Sequence, residues 1–294
     1  MNKDSIKLFL ATSFALLAFA ANSVLCRLAL GGETIDPMSF TLVRLLSGSI
    51  VLLIILGASR PKGKLSKGNN ISALMLFTYA ISFSYAYLTL DTGTGALILF
   101  AAVQATMILA NIIKGQKIHS IEIFGFIIAF SGFVYLVLPT LATPSVKGFI
   151  LMLISGVAWA IYTLRGAISK AALQDTTFNF LRCTPIILIL LLVQYKEMTF
   201  TSNGLILAVI SGGLTSGIGY SIWYYALKTL PTLKAAVLQL LVPILATAGG
   251  VLFANEPITL RLSLSSLLVL GGIALVVLRK TLFKEKIVVT TSEI

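Results

Sequence analysis

The chain has 294 residues, of which 57% are hydrophobic and only 11% are charged, and its mean hydropathy is +1.00. This composition excludes a water-soluble globular domain, because such a domain needs a polar exterior. The net charge of +12 would suggest a nucleic-acid partner in a soluble protein, but here the basic residues gather in short connections between apolar runs. We therefore expect an all-α integral membrane protein whose partners are the lipid bilayer and a small-molecule substrate, with no nucleic acid.

Apolar runs of spanning length predict about ten transmembrane helices, since crossing a hydrocarbon layer of roughly 30 Å takes about 20 helical residues. In chain order the predicted spans are Ile6–Leu30, Pro37–Leu56, Ile71–Leu90, Thr92–Ile113, Ile121–Leu138, Lys147–Lys170, Thr177–Tyr195, Gly204–Leu227, Thr232–Phe253 and Leu260–Leu278. The first five spans make up residues 1–140, the next five make up residues 141–281, and residues 282–294 form a cytoplasmic tail.

The N-terminal segment also has features of a secretory signal peptide. Lys3 and Lys7 precede an apolar run, and the small-residue sequence at residues 18–20 resembles a cleavage site. The apolar run continues to Leu28, however, which makes it long enough to span a membrane. We therefore interpret it as the first transmembrane helix.

The distribution of lysine and arginine predicts the orientation. If both termini are cytoplasmic, only Arg27, Lys147, Lys196 and Arg261 lie outside, and two arginines lie within helices, so that sixteen of the 22 basic residues are cytoplasmic. Short cytoplasmic loops of membrane proteins carry such an excess of basic residues. The sequence thus predicts a multi-pass protein of the inner (plasma) membrane with both termini in the cytoplasm.

The two halves of the chain repeat one another. Residues 40–44 (FTLVR) align with residues 178–182 (FNFLR), and residues 131–138 (SGFVYLVL) align with residues 271–278 (GGIALVVL). The aligned segments are separated by about 140 residues in each case, which indicates an internal duplication. Because five helices per half is an odd number, we expect two inverted five-helix repeats. Such repeats are common in transporters, since copies that exchange conformations give outward-open and inward-open states of similar energy.

Three segments of the second half resemble the EamA-type transporters of the drug/metabolite transporter superfamily: residues 224–228 (YYALK), 235–243 (AAVLQLLVP) and 255–258 (NEPI). The likeness extends from the first helix to Leu278. It implies ten helices in two halves, with export or exchange of small metabolites, such as amino acids or related solutes, through a central cavity open alternately to each side. The first half departs from the family pattern, since Gln104 occupies the place of Pro243 and Gln116 that of Glu256.

Two arginines lie within predicted helices. An arginine at mid-membrane costs about 2.5–3.5 kcal/mol on insertion scales, so it is expected to face a partner or a water-filled cavity. For Arg44 we favour an interior role over snorkelling to the helix end, because it lies about seven residues past the helix start at Pro37. Its partner would be a carboxylate, a phosphate or, in a purely structural clamp, helix carbonyls. Arg182 is a gating candidate, with snorkelling to the membrane surface as the alternative.

Aromatic and amide side chains recur on helices that are expected to line a cavity. Together with Arg44, the candidate substrate-binding residues are Asn22, Tyr79, Gln104, Trp159, Tyr162, Tyr220, Trp223 and Gln239. Such side chains suit an amphipathic metabolite. The alternative is lipid-interface belts for the aromatic residues and hydrogen bonds between helices for the amides. Gly213, Gly217 and Pro243 are candidates for hinges or for close helix packing.

The predicted membrane interior holds almost no carboxylate. Asp91, Glu122 and Glu256 lie near span ends, and His119 lies in a connection. Because a proton relay normally needs buried ionisable groups, this pattern favours facilitated diffusion or exchange over carboxylate-based symport. An intramembrane enzyme would need a nucleophile with a base, paired aspartates or a metal set, none of which the pattern offers. We expect a transporter without a cofactor or metal, and a channel for small solutes is the alternative.

Overall fold

The computed structural model describes residues 3–61, 65–113, 115, 120–137, 144–194, 198–230, 235 and 238–282. These parts of the chain are helical and contain no β-strand apart from one isolated bridge between Ile35 and Phe200. The helices are α1 (Lys3–Gly31), α2 (Pro37–Ser59), α3 (Asn70–Ala86), α4 (Thr92–Ile113), α5 (Ser120–Val137), α6 (Val146–Ala167), α7 (Ala172–Gln194), α8 (Ser202–Leu227), α9 (Leu241–Ala254) and α10 (Leu260–Leu282). The predicted all-α fold with ten helices is confirmed.

Five of these helices are long and apolar enough to span a membrane: Ser5–Gly31 within α1, α2, Thr92–Ala110 within α4, α6 and α8. The others are less apolar or shorter over the described residues. Helix α3 has 17 residues, and α7 carries Asp175, Arg182 and Pro185. Of the predicted tail, residues 283–294 lie outside the described residues.

The two halves pack reciprocally. Helix α3 lies against α6. In the repeat α8 corresponds to α3 and α1 corresponds to α6, and α8 lies against α1 in the same way. The equivalent helices α4 and α9 likewise contact α6 and α1. Three further pairs, α2 with α7, α4 with α9 and α5 with α10, join equivalent helices of the two halves. This exchange of contacts is what a twofold relation between the repeats requires.

Two connections of opposite halves join at one end of the bundle. Asp36 ends the extended residues before α2, and its carboxylate accepts hydrogen bonds from the backbone N–H groups of Met38 and Ser39 at 3.0 and 2.9 Å. This is an N-cap, with Pro37 as the first helical residue. The other carboxylate oxygen accepts from the backbone N–H of Thr199 at 3.0 Å. The residue that begins α2 therefore also holds the α7–α8 connection.

Helix α8 contains a π-helical segment, Ser211–Ile218. It lies against α2 so closely that a Cβ atom at Gly212 would overlap the carbonyl oxygen of Arg44. The predicted packing residues Gly213 and Gly217 face Val51 less tightly, since a Cβ at either position would approach a Val51 carbon to 3.2 Å. Gly212, which adjoins Gly213 in the sequence, is therefore the position where these helices approach most closely. π-helical turns are frequent at functional sites.

Candidate functional site

A small cavity lies between α1, α3, α4, α6 and α8. It has about 10 Å³ of space, close to what one water molecule needs, so a metabolite fits only if the walls move apart. We call it the central cavity; its walls are Phe19, Asn22, Ser23, Tyr79, Phe83, Leu99, Phe100, Trp159 and Tyr220. Four predicted site residues, Asn22, Tyr79, Trp159 and Tyr220, therefore meet in one place. The walls are mostly aromatic faces with a few polar tips.

The central cavity lies where the two repeats meet. The hydroxyl oxygens of Tyr79 and Tyr220 are 3.3 Å apart, and the two residues are separated by 141 positions in the sequence. The rings of Phe19 and Trp159 lie 6.0 Å apart in an edge-to-face arrangement, and these residues are also separated by one repeat length. Equivalent residues of the two halves thus face each other across the cavity.

Arg44 lies one layer behind the cavity wall. Its side chain is buried, with 1% of its surface exposed. Its Nη2 atom donates hydrogen bonds to the hydroxyl oxygens of Tyr79 at 2.9 Å and Tyr220 at 3.3 Å, and its Nε atom donates to Ser216 at 3.2 Å. The guanidinium also lies over the rings of Tyr79 and Phe83, 5.1 Å from each centroid. Arg44 therefore joins the first half to the π segment of the second.

Asn22 ties α1 to the same π segment. Its amide oxygen accepts a hydrogen bond from the hydroxyl of Ser211 at 2.7 Å and lies 3.2 Å from the hydroxyl of Thr215, which donates to the backbone oxygen of Ser211 at 2.6 Å. Its amide nitrogen donates to the Tyr79 hydroxyl at 3.2 Å. The two central polar networks, around Arg44 and around Asn22, therefore share Tyr79. Both bridge the two halves, so a relative movement of the halves must change them together.

An ion-pair network closes one end of the bundle, which we call the Arg27 end. The Nε atom of Arg27, on α1, lies 3.0 Å from the Oε1 atom of Glu256, and the Nη2 atom of Arg27 lies 3.4 Å from the Oδ1 atom of Asp91. The second carboxylate oxygen of Glu256 accepts from the backbone N–H of Thr92 at 2.8 Å. Thr92 begins α4, where a negative charge is favoured by the helix dipole. Glu256, from the second half, thus links two helices of the first.

A network of hydroxyls, amides and charged side chains closes the opposite end, which we call the Asp175 end. The carboxylate of Asp175, on α7, accepts a hydrogen bond from the hydroxyl of Ser66 in the α2–α3 connection. Arg165, on α6, donates to Ser72 and Asn69 at 3.1 Å each. The small pocket at this end is lined by Asn69, Ser72, Tyr162, Arg165, Gly166, Ala172, Asp175, Thr176, Asn179 and Tyr224. Residues of both halves therefore close both ends.

The remaining predicted substrate-binding residues lie outside the wall of the central cavity. Tyr162 lines the pocket of the Asp175 end. Trp223 is buried beside Phe19, with ring centroids 5.5 Å apart. Gln104 on α4 and Gln239 before α9 are also buried, but neither belongs to the wall.

Two gating or packing candidates have identifiable surroundings. Arg182 is partly exposed at the Asp175 end, where it donates to the carbonyl oxygen of Lys67 at 3.1 Å and to the side chain of Asn70. Pro243 is buried in the first turn of α9 as the structure describes it. Proline is tolerated in a first turn, where the backbone N–H groups have no partner within the helix.

Sequence reasoning missed several residues of this site. Phe19, Ser23 and Phe100 line the cavity, and Ser211 and Ser216 hold Asn22 and Arg44. The repeat itself carried a usable signal, because Phe19 stands one repeat length before Trp159. Pairing each candidate with its counterpart in the other half would have selected Phe19, although not the serines.

Comparisons with known proteins agree with this architecture. The family model described as EamA-like transporter family matches residues 6–138 and 146–278. An uncharacterized protein of Pseudomonas aeruginosa is 44% identical over 267 residues, which are 91% of this chain and 93% of that protein. An uncharacterized transporter of Archaeoglobus fulgidus is 28% identical and covers 95% of this chain and 100% of its own length. A solved crystal structure with 17% sequence identity superposes with a TM-score of 0.62, covering 91% of this chain and 98% of its own, and shows the same fold.

Proposed function

The chain belongs to the EamA-like transporter family, and from that membership we propose that it is a secondary transporter of small amphipathic metabolites, such as amino acids or their relatives, that works by alternating access. The observation that supports this mechanism is the Tyr79–Tyr220 pair at the centre of the bundle. A site built from equivalent residues of inverted repeats stays near the bilayer midplane while the halves rock around it. The solute would occupy the central cavity after its walls separate.

The closed ends support a transporter over the alternative, a channel. A channel needs a continuous open path, whereas in the described residues networks from both halves close the bundle at the Arg27 end and at the Asp175 end. Opening one end requires breaking the contacts between the halves at that end while those at the other end stay closed. Because no carboxylate among the described residues lines the central cavity, we assign exchange or facilitated diffusion rather than proton symport.

The two ends differ in chemistry although the repeats place an arginine at both. Arg27 on α1 and Arg165 on α6 stand 138 positions apart, close to the repeat length. Arg27 pairs with the carboxylates of Glu256 and Asp91, whereas Arg165 donates to the neutral side chains of Asn69 and Ser72. We assign the Arg27 end to the outside and the Asp175 end to the cytoplasm, as the distribution of basic residues favours.

Cysteine labelling tests this orientation. Lys67→Cys and Lys147→Cys form a matched pair, since both lysines are exposed and lie at opposite ends of the bundle, and the native cysteines Cys26 and Cys183 are buried. We expect a membrane-impermeant maleimide to label Lys147→Cys in intact cells, and to label Lys67→Cys only after the membrane is opened. The reverse pattern would place the termini outside.

Counterflow tests the transport proposal itself. Purified protein in liposomes that are loaded with an unlabelled solute should accumulate the labelled solute transiently, without a proton or sodium gradient, because the loaded site reorients. Trp159→Ala should raise the half-saturating concentration about tenfold by removing a wall of the cavity. Leu188→Ala, on a side chain that faces away from the bundle with 47% of its surface exposed, is the matched control. Transport that collapses with the proton gradient, with no counterflow, would contradict the proposal.

A further inference from the structure

The polar groups beside the central cavity contain more hydrogen-bond donors than acceptors. The hydroxyl oxygen of Tyr79 accepts from three donors: Asn22 at 3.2 Å, Arg44 at 2.9 Å and Tyr220 at 3.3 Å. A phenolic oxygen has only two lone pairs, so these donors compete for it. The Nη1 atom of Arg44 is buried and has no hydrogen-bond partner among the described residues. The site therefore lacks acceptors.

The charge of Arg44 has no opposite charge beside it. All three of its side-chain partners, Tyr79, Tyr220 and Ser216, are neutral hydroxyls, and no carboxylate of the described residues lies within ion-pair distance. A buried positive charge without a partner is costly in the low dielectric of a membrane interior. An anion bound in the cavity would place a negative charge one layer from Arg44 and would supply lone pairs to the two phenols that line the wall.

From this imbalance we infer that the central cavity selects a carboxylate that has a compact apolar body and no ammonium group. This inference rests on the proposed function and narrows its class of solutes. The phenol groups of Tyr79 and Tyr220 line the cavity and accept hydrogen bonds from Arg44. Hydroxyls that accept from a cation are polarised and become stronger donors. The carboxylate accepts from these phenols. The apolar body packs on the aromatic faces of Phe19, Phe100 and Trp159.

An ammonium group finds no comparable partner. The amide oxygen of Asn22 accepts a hydrogen bond from Ser211 at 2.7 Å and is flanked by the Thr215 hydroxyl at 3.2 Å, and the Tyr79 oxygen is fully used. An ammonium would also lie close to the guanidinium of Arg44, and like charges that are placed together oppose binding. An amino acid should therefore bind more weakly than the acid that lacks its amino group.

Three probes that share an isobutyl group test this selectivity: α-ketoisocaproate, leucine and isoamylamine. The protein has two tryptophans, one in the wall and one beside Phe19, so intrinsic fluorescence reports binding to the purified protein in nanodiscs. We expect the keto acid to bind about tenfold more tightly than leucine and the amine to bind weakest. Arg44→Gln should remove this preference, and Arg261→Gln, whose guanidinium lies over the Tyr135 ring on α5, should keep it.

If Arg44→Gln does not fold, Tyr220→Phe replaces it, because this change removes one of the two phenols and should reduce the preference for the keto acid. Leucine or isoamylamine that binds as tightly as the keto acid would overturn the inference, as would an unchanged preference in the folded Arg44 variant. Counterflow with the same probes separates the two proposals. Transport without preference for the carboxylate contradicts only this inference, whereas carboxylate binding without counterflow of any probe contradicts only the transport proposal.

Discussion

Replacing Arg44 by glutamine should reduce the rate of counterflow about a hundredfold, and replacing it by lysine should reduce that rate about tenfold. Arg44 joins α2 to Tyr79 on α3 and to Tyr220 and Ser216 on α8. A hydrogen bond to a charged group contributes about 1.5–3 kcal/mol, so the loss of several of them is large even if the walls rearrange. Lysine keeps the charge but has no planar fork to reach both phenols and the serine together.

The control for Arg44 is provided by the repeat. Arg182 stands at the equivalent position of the second half, but it is partly exposed and binds a backbone oxygen and Asn70 at the Asp175 end. Arg182→Lys should change the transport rate by less than about threefold, as expected for an exposed polar contact. Size-exclusion profiles of the purified variants separate loss of transport from loss of folding. Normal transport in both folded Arg44 variants would leave Arg44 as a structural residue only.

Replacing Glu256 by glutamine should shift the protein toward conformations that are open at the Arg27 end. The carboxylate bridges Arg27 on α1 and the N-terminus of α4 at Thr92, and only 11% of its side chain is exposed. Glutamine keeps one acceptor oxygen but loses the charge that both partners favour. Allowing for partial exposure, the loss is about 1–2 kcal/mol, or about tenfold in the equilibrium between closed and open.

The accessibility of Ser23 measures this shift, because Ser23 lines the central cavity. In a Ser23→Cys background, Glu256→Gln should increase the rate of labelling by an impermeant maleimide from the outside. Glu33→Gln is the matched control, since Glu33 lies in the exposed α1–α2 connection at the same end. An equal rate with glutamate and glutamine at position 256 would show that this network does not hold the end closed.

The architecture could be predicted from the sequence because the length of an apolar run and the internal repeat are properties of whole segments. A run such as Pro37–Ser59 needs no tertiary information to be recognised as a span. The polar residues Asn22, Tyr79 and Tyr220 were selectable as well, since buried polar groups in a membrane are costly and need partners. Their role in binding a solute stays a prediction.

The parts that could not be predicted depend on distances between remote positions. Arg27 and Glu256 are 229 residues apart, and each taken alone resembles an ordinary residue at a helix end. Phe83 and Phe100 line the cavity, but phenylalanine is equally common on lipid-facing surfaces. The position of Arg44 behind the wall, and not in it, depends on the π segment of α8, and serine–glycine sequences such as Ser211–Ile218 are equally compatible with a regular helix.

The central claim, that the two ends open alternately, is tested most directly by measuring the width of both ends in the same preparations. Spin labels at Glu33 and Lys147 report on the Arg27 end, and labels at Lys67 and Lys170 report on the Asp175 end, since all four side chains are exposed and each pair joins the two halves. Pulsed electron paramagnetic resonance in nanodiscs should give two distances for each pair. Glu256→Gln should increase the open population of the first pair without increasing that of the second. A rise in the open population at both ends together, as in a channel, would contradict alternating access.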